Sequence, residues 1–342
     1  MSAHPYRLGF AVKVLGGGGL RSADTRRWQS GPHLARSLEL LEGVFEHLEA
    51  NAIRMYRLSS ATVPYGTHPD LPALDYRRQI EACSAELAVL GARARAACLR
   101  LSTHPGQYTV LSTPDPELAR KSSLDLEQDA LLLDAMGMGP EAVVVVHAGG
   151  AYGDARAALD RWARAYEALS EGARRRVVVE HDERVFSLDD VLVLHRRTGV
   201  RVVFDLHHHR LNRGARPPED VAGGLADAYA TWPEGVRPKA HLSSPRTELR
   251  TVRRRRPGSR KAEETLVPPL LEQHADFVSP WELAALLRAA PGPLDVMLEA
   301  KAKDLALLAV RKHLARLDPE LAAAEERVPE EDAVRLPASA SP

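Results

Sequence analysis

Short apolar runs alternate with longer amphipathic stretches along most of the chain. The runs at 7–14 (RLGFAVKV), 52–59 (AIRMYRLS), 95–102 (RAACLRLS), 142–148 (AVVVVHA), 176–181 (RVVVEH), 200–206 (VRVVFDL), 238–243 (PKAHLS) and 295–300 (DVMLEA) read as eight strands. Several are nearly unbroken Val, Leu, Ile and Ala, the pattern of strands covered on both faces. Between them, 34–49, 76–91, 115–136, 155–170, 187–198, 218–230, 280–289 and 303–315 place apolar residues at helical spacing. In the first of these, Leu34, Leu38, Leu41, Val44 and Leu48 share one face. Asp115 and Ser187 stand where N-caps belong.

Eight strand–helix alternations predict a single α/β domain, a (β/α)8 TIM barrel over residues 1–317. An open doubly wound sheet is the alternative, but no GxGxxG follows the first strand. The GGGG at 16–19 reads as a loose loop. Two segments fall outside the alternation. Residues 246–261, RTELRTVRRRRPGSRK, form a strongly basic insert after the seventh strand. The tail at 318–342, rich in Ala, Pro and Glu, reads as a frayed helix followed by disorder.

Composition narrows the classes. At 44% hydrophobic the chain can bury a large core, and its formal net charge of zero gives no global field to draw in nucleic acid. Any such attraction must be local. Two cysteines, Cys83 and Cys98, offer neither a disulfide framework nor a metal-binding pair, so burial is expected of both. The N-terminus has no apolar signal core and no stretch is long enough to span a bilayer, so a cytoplasmic, nucleoid-associated protein without a membrane partner is expected.

In such a barrel the reacting groups sit where strands end at the carboxyl rim. Strand three runs into Thr103-His104-Pro105-Gly106-Gln107-Tyr108, strand four into His147-Ala148-Gly149-Gly150, and strand five into Glu180-His181-Asp182-Glu183. Strand six ends in Asp205 with His208 just beyond, strand seven carries Lys239 and His241, and strand eight ends in Glu299 and Lys301. Unpaired charges are costly to bury, and carboxylates converging with neutral imidazoles are a ligand set for Zn²⁺, Mn²⁺ or Fe²⁺. Asp205 and His208 can face two neighbouring metals. His207 and His209, on alternate positions of an extended chain, would face solvent or stand behind the ligands. Gly106 and Gly149-Gly150 suit a close backbone approach or a tight turn.

RLGF at 7–10, RLSS at 57–60, PYGTHP at 64–69, RLSTHPGQY at 100–108, VVVVHAGGAYGD at 143–154, VVVEHDERVFS at 177–187, VVFDLHHHRLN at 202–212, RPKAHLSS at 237–244 and DVMLEAKAKD at 295–304 together resemble the UV damage endonuclease family. That family is a branch of the xylose-isomerase-like barrels related to endonuclease IV. The resemblance spans residues 7–304, and HPGQY, HxGGxYG and ExDER in combination are specific. It implies incision of DNA 5′ of pyrimidine dimers and 6-4 photoproducts, with abasic sites as a further substrate. It also implies two or three divalent ions, Mn²⁺ first, with Zn²⁺ or Mg²⁺ as alternatives, and no organic cofactor.

By matching position, His104, His147 and Glu180 would hold one ion. Glu180, Asp205, His241 and Glu299 would hold a second, and His208 and His274 a third. Glu180, Lys239 and His241 would be catalytic, Lys239 matching a lysine that is carboxylated in relatives. Gln107 and Tyr108 match a pair that wedges into the duplex, and His68 matches a histidine on the DNA-facing rim. Phe10 and Val14 depart from a usual tyrosine and asparagine; Phe10 is expected near the lesion, and the departures bear on which lesions are accepted. Arg253, Arg254, Arg255 and Arg256 are expected to contact phosphates. The partner is double-stranded DNA and the enzyme is expected to be a monomer. Two other readings use the same barrel: a metal-dependent sugar isomerase or epimerase, and a DNA-binding relative without catalysis.

Overall fold

The computed structural model describes residues 3–106, 108–217, 219–255 and 261–327. Gln107 and Arg256 lie outside the described residues, and so do 328–342 of the tail. The first seven strands are β1 (Tyr6–Ala11), β2 (Met55–Arg57), β3 (Arg100–Thr103), β4 (Val143–His147), β5 (Val177–Glu180), β6 (Arg201–Asp205) and β7 (Lys239–Leu242). Four more, β8 (Pro245–Arg246), β9 (Arg250–Arg255), β10 (Ala262–Val267) and β11 (Leu270–His274), precede β12 (Leu294–Leu298). Among the described residues, β1 to β7 and β12 close a parallel barrel in the order β1-β12-β7-β6-β5-β4-β3-β2. This is the expected (β/α)8 barrel.

Helices cover the outside at the expected places, with differences of a few residues at their ends. The stretch 76–91 is two helices, Tyr76–Ala82 and Ser84–Ala96, broken at Cys83. Two short helices had no periodic signal to announce them, Glu171–Arg176 and Leu206–Leu211. Asp115 accepts the amides of Glu117 and Leu118 and so caps its helix. Ser187 and Asp190 form a reciprocal capping box. Cys83 is buried as expected, but Cys98 is exposed in the turn before β3.

Strand periodicity decides which residues reach the barrel axis. Tyr6, Leu8 and Phe10 of β1, Leu101 of β3, Val144 and Val146 of β4, Val177 and Val179 of β5, and Val202 and Phe204 of β6 belong to the core between sheet and helices. The alternate residues Val143, Val145, Val178 and Val203 form a separate cluster with Trp232 in the barrel interior. His147, Glu180 and Asp205 continue this inward set, two residues beyond Val145, Val178 and Val203. Parallel pairing sets them level: His147 lies beside Glu180, and Asp205 beside His241.

The floor of the barrel is polar and paired. Arg100, fully buried, donates to Asp295 Oδ2 at 2.9 Å. The guanidinium carbons of Arg100 and Arg201 lie 5.5 Å and 4.9 Å from the Trp232 ring centroid.

The expected boundary at 317 needs correction. Pro319–Ala323 is helical, Asp318 caps it by accepting the Leu321 amide at 3.1 Å, and Leu321 is fully buried. The chain then runs beside β1: Tyr6 N–H donates to Ala324 O, and Glu326 N–H to Tyr6 O at 2.9 Å. Arg311 pairs with Glu325, and Arg237 with Glu326. Residues 318–327 therefore pack onto the barrel.

The basic insert is a hairpin. β9 pairs antiparallel with β10, which sets Arg253 opposite Glu264 and Arg254 opposite Glu263. Its acidic strand offsets part of the arginine charge, with Arg253 Nε 3.3 Å from Glu264 Oε1. Arg246 does not belong to that exposed run. It is 1% exposed, and its guanidinium donates to the carbonyls of Glu248 and Pro268.

Candidate metal centre

Glu180 is the hub. It ends β5 fully buried, with carboxylate oxygens 2.8 Å from His241 Nδ1, 3.4 Å from His104 Nε2, 3.4 Å from His208 Nδ1 and 3.8 Å from His147 Nε2. Burial alone would raise the Glu180 pKa, but the imidazoles of His241, His147 and His104 outweigh it and hold the carboxyl well below the usual range. His104 is moved the other way. Burial, with Arg57 and His147 nearby, lowers it to about 4, so its ring is neutral at neutral pH.

The histidine tautomers are prepared for ligation. Nδ1–H of His104 donates to Pro105 O at 3.1 Å, that of His208 to His181 O at 3.0 Å, and that of His274 to Glu299 O at 2.9 Å. Each bond fixes the ring plane and, in the neutral ring, leaves Nε2 as the lone pair. The rings of His104 and His147 lie 5.1 Å apart, those of His147 and His208 5.6 Å, and those of His208 and His274 6.3 Å. His208 also sits among Asp205, Glu180, Glu299 and Glu183; burial opposes its charge, but these carboxylates raise it to about 9, so without a cation at the site its Nε2 carries a proton that ligation would displace.

His104, His147 and Glu180 bring one ligand atom each within 4.8 Å of one another, and so do Glu180, Asp205 and His241. Among the described residues, Glu180 Oε2, Asp205 Oδ2 and His147 Nδ1 are buried with no hydrogen-bond partner. Orphaned carboxylate oxygens beside neutral imidazoles fit a divalent cation, which satisfies both without a proton. Asp205 Oδ1 accepts the His208 amide at 2.8 Å, which leaves Oδ2 for an ion.

Three further expected residues border this cluster. Lys239 lies within the barrel with Nζ donating to Ser102 Oγ at 2.9 Å, and burial, with Arg57 and Arg100, pulls its pKa well below that of a free amine. Glu299 stands one residue past β12, with Oε1 3.4 Å from His241 Nδ1. His274 ends β11, which pairs with β8 directly after β7, so the return of the basic insert delivers it to the rim.

Some expectations are corrected. Phe10 is fully buried and packs edge-on against Tyr56 at 5.4 Å. It shares the outward parity of Tyr6 and Leu8, so it faces helices and cannot meet DNA. Val14 is 1% exposed. Of the two alternatives for His207 and His209, solvent is ruled out and a place behind the rim residues remains: the chain turns helical at Leu206, and they are 2% and 1% exposed. His209 packs on Phe204, and His207 meets the His274 ring edge-on at 5.4 Å. Of the glycines, Gly149 is required, with φ of 89° and a Cβ that would lie 2.5 Å from Ser112 Oγ; Gly106 meets no such obstacle.

The outer rim carries the remaining expected residues. Tyr108 is 73% exposed beside a cavity of about 400 Å³ that Tyr65, Arg26, Lys121 and the buried Gln128 and Asp129 also line. His68 is exposed and its ring lies 6.3 Å from that of Tyr65. Arg253 and Arg255 are exposed on the hairpin. Sequence reasoning gave no role to Arg57, which reaches Glu299 and His241, or to His181, whose Nε2 accepts the Asp205 amide at 3.0 Å. Both end or follow a strand on the same rim, the signal that placed His181 there and would have found Arg57.

A family model described as UV-endonuclease UvdE matches residues 34–328. The UV DNA damage endonuclease of Bacillus velezensis is 30% identical over 289 residues, 83% of this chain and 81% of its own. The crystal structure of SacUVDE aligns with a TM-score of 0.75 at 25% identity, covering 92% of this chain and 99% of that one. Endonuclease IV from Thermus thermophilus shares the fold, with a TM-score of 0.51 at 18% identity, covering 91% of this chain and 99% of its own. With the family's matched segment running from the first helix to beyond the last barrel strand, and so taking in every residue of the cluster around Glu180, the chain belongs to the UV-endonuclease UvdE family.

Proposed function

We propose that this protein hydrolyses the phosphodiester of duplex DNA on the 5′ side of ultraviolet photoproducts, with pyrimidine dimers and 6-4 photoproducts as substrates and abasic sites as a further one. The observation that carries the reading is the pair of ligand clusters sharing Glu180 at the carboxyl rim, in a chain of this family. His104, His147 and Glu180 would hold one divalent ion, with Glu180, Asp205, His241 and Glu299 holding a second and His208 and His274 a third. Mn²⁺ is the expected ion. Such ions supply an acidified water and positive charge for the phosphate oxygens.

The protein's own groups do the rest. Glu180 keeps the two halves of the centre together, and Lys239 lies beneath them on Ser102. Tyr108, Gln107 and His68 would meet the duplex, Tyr108 by stacking against bases displaced at the lesion. The arginines from Arg253 to Arg256 would reach phosphates flanking it. The testing experiment is incision of an ultraviolet-irradiated, end-labelled duplex with Mn²⁺, against unirradiated, abasic and metal-free controls. The expected result is a nick immediately 5′ of dimers. Cutting confined to abasic sites would move the substrate. Metal-loaded protein that cuts neither DNA but epimerises a sugar would replace the reading.

A further inference from the structure

Arg57 ends β2 with its guanidinium inside the candidate metal centre. Nη1 donates to Glu299 Oε1 at 2.6 Å, and Nη2 donates to His241 Nε2 at 2.8 Å. The side chain is 8% exposed, so the contact is shielded from water. The hydrogen bonds run in one sense from Arg57 to Glu180. Arg57 donates to His241 Nε2, and His241 Nδ1–H, on the far side of the ring, donates to Glu180 Oε1 at 2.8 Å. One permanent cation thereby engages two of the residues expected to hold the second ion.

A guanidinium has five donors, no acceptor and no accessible neutral form. It can neither ligate a metal nor lose its charge to make room for one. Its positive charge lies 2.6 Å from a carboxylate oxygen that a divalent ion would also seek. Burial lowers the pKa of His241, His104 and Lys239 and Arg57 adds to it, whereas at Glu299 Arg57 opposes burial and lowers the carboxyl, so its field reaches across the cluster. Arg57 thus does for Glu299 what a metal ion would do, with weaker and more reversible bonds.

We propose that Arg57 is a resident counter-cation of this centre, competing with a divalent ion for Glu299 and His241 and so setting how tightly that half of the site is filled. The inference rests on the metal-centre reading above. It makes Arg57 a positioning residue whose release is coupled to metal entry.

The experiment is Mn²⁺ binding by calorimetry and by the electron-spin signal of free Mn²⁺, on wild type, Arg57→Met and Arg57→Lys, with melting temperatures at each Mn²⁺ concentration. In Arg57→Met the weakest Mn²⁺ site should tighten by about tenfold or more, the strength of one charge-assisted contact. The same variant should melt lower in chelator and gain more from Mn²⁺ than wild type. A lysine ammonium keeps the charge but lacks the planar fork that meets both acceptors at once, so Arg57→Lys should tighten the site by about threefold, and it carries the test if the Met variant does not fold. Affinity that is unchanged or weaker in the folded variants overturns the inference and leaves the metal reading standing. Wild type that binds no Mn²⁺ overturns both.

Discussion

Replacing Glu180 by glutamine removes one charge while keeping shape. The amide oxygen can still accept from His241 Nδ1–H at the 2.8 Å position, and its NH₂ can face the Nε2 lone pairs of His104 and His147. The buried hydrogen bonds are then largely conserved, and the melting temperature should stay within about 5 °C of wild type, as for a change of about 1–2 kcal/mol in a large domain. Metal affinity should not survive. A unit charge about 4 Å from a divalent ion, at an effective dielectric of about 20, contributes about 8 kcal/mol before ligands rearrange. Half of that, about 4 kcal/mol, is about a thousandfold in binding or rate. Mn²⁺ titration, thermal melting and incision of irradiated duplex on one preparation separate these effects. A folded Glu180→Gln protein that binds Mn²⁺ and cuts at the wild-type rate would refute the assignment of Glu180 as the shared ligand.

Burial raises the Asp129 carboxyl from 3.8 to about 7. Because the folded value lies above the unfolded one, this group's stability is lost as pH rises from about 4 to 7, by up to about 4 kcal/mol. Asp129→Asn should therefore raise the melting temperature at pH 8 more than at pH 4, and equal shifts would argue against a buried, late-ionising carboxyl. Tyr108→Ala should leave melting unchanged within about 2 °C, as suits a 73% exposed side chain, while weakening binding to irradiated duplex by about 1–3 kcal/mol, measured by fluorescence anisotropy. Neutralising Arg253 and Arg255 should reduce the slope of log K against log salt by about 0.9 for each phosphate that the variant no longer neutralises. An unchanged slope would leave the hairpin without a DNA role. Leu321→Ala should cost about 2–5 kcal/mol in urea unfolding, because its side chain is fully buried.

The barrel was legible because its strands are Val-rich runs covered on both faces, and β4 and β5 show it most plainly. The convergence at the rim was legible from strand ends alone, and Glu180, His104, His147, Asp205 and His241 do meet. Direction within a strand was harder to read. Phe10 was misplaced because a run such as RLGFA gives no alternation to tell inside from outside. The solvent-facing alternative for His207 and His209 failed because a six-residue helix needs no periodic signal, only the Asp205 cap. The hairpin was hidden because β9 is written in arginine, which sheet propensity does not favour and the opposite glutamates stabilise. The tail was read as a frayed helix followed by disorder; the helix is present at Pro319–Ala323, but the contacts of Leu321 and Glu325 hold 318–327 to the barrel.

The period of two along the barrel strands acts as a reading frame. Val178 and Glu180 point inward while Val177 and Val179 point to the helices, and neighbouring strands hold the same phase level with them. Deleting a single valine ahead of Glu180 would keep every ligand in the sequence and turn the carboxylate out toward the helices. A frame slip of one residue in β4, β5, β6 or β7 would therefore disable the centre as thoroughly as removing a ligand. Insertions of two residues would restore the phase but lift the side chain by about 7 Å, beyond the reach of its partners. The spacing of these candidate ligands from the start of their strands is thus as much a part of the site as their identity.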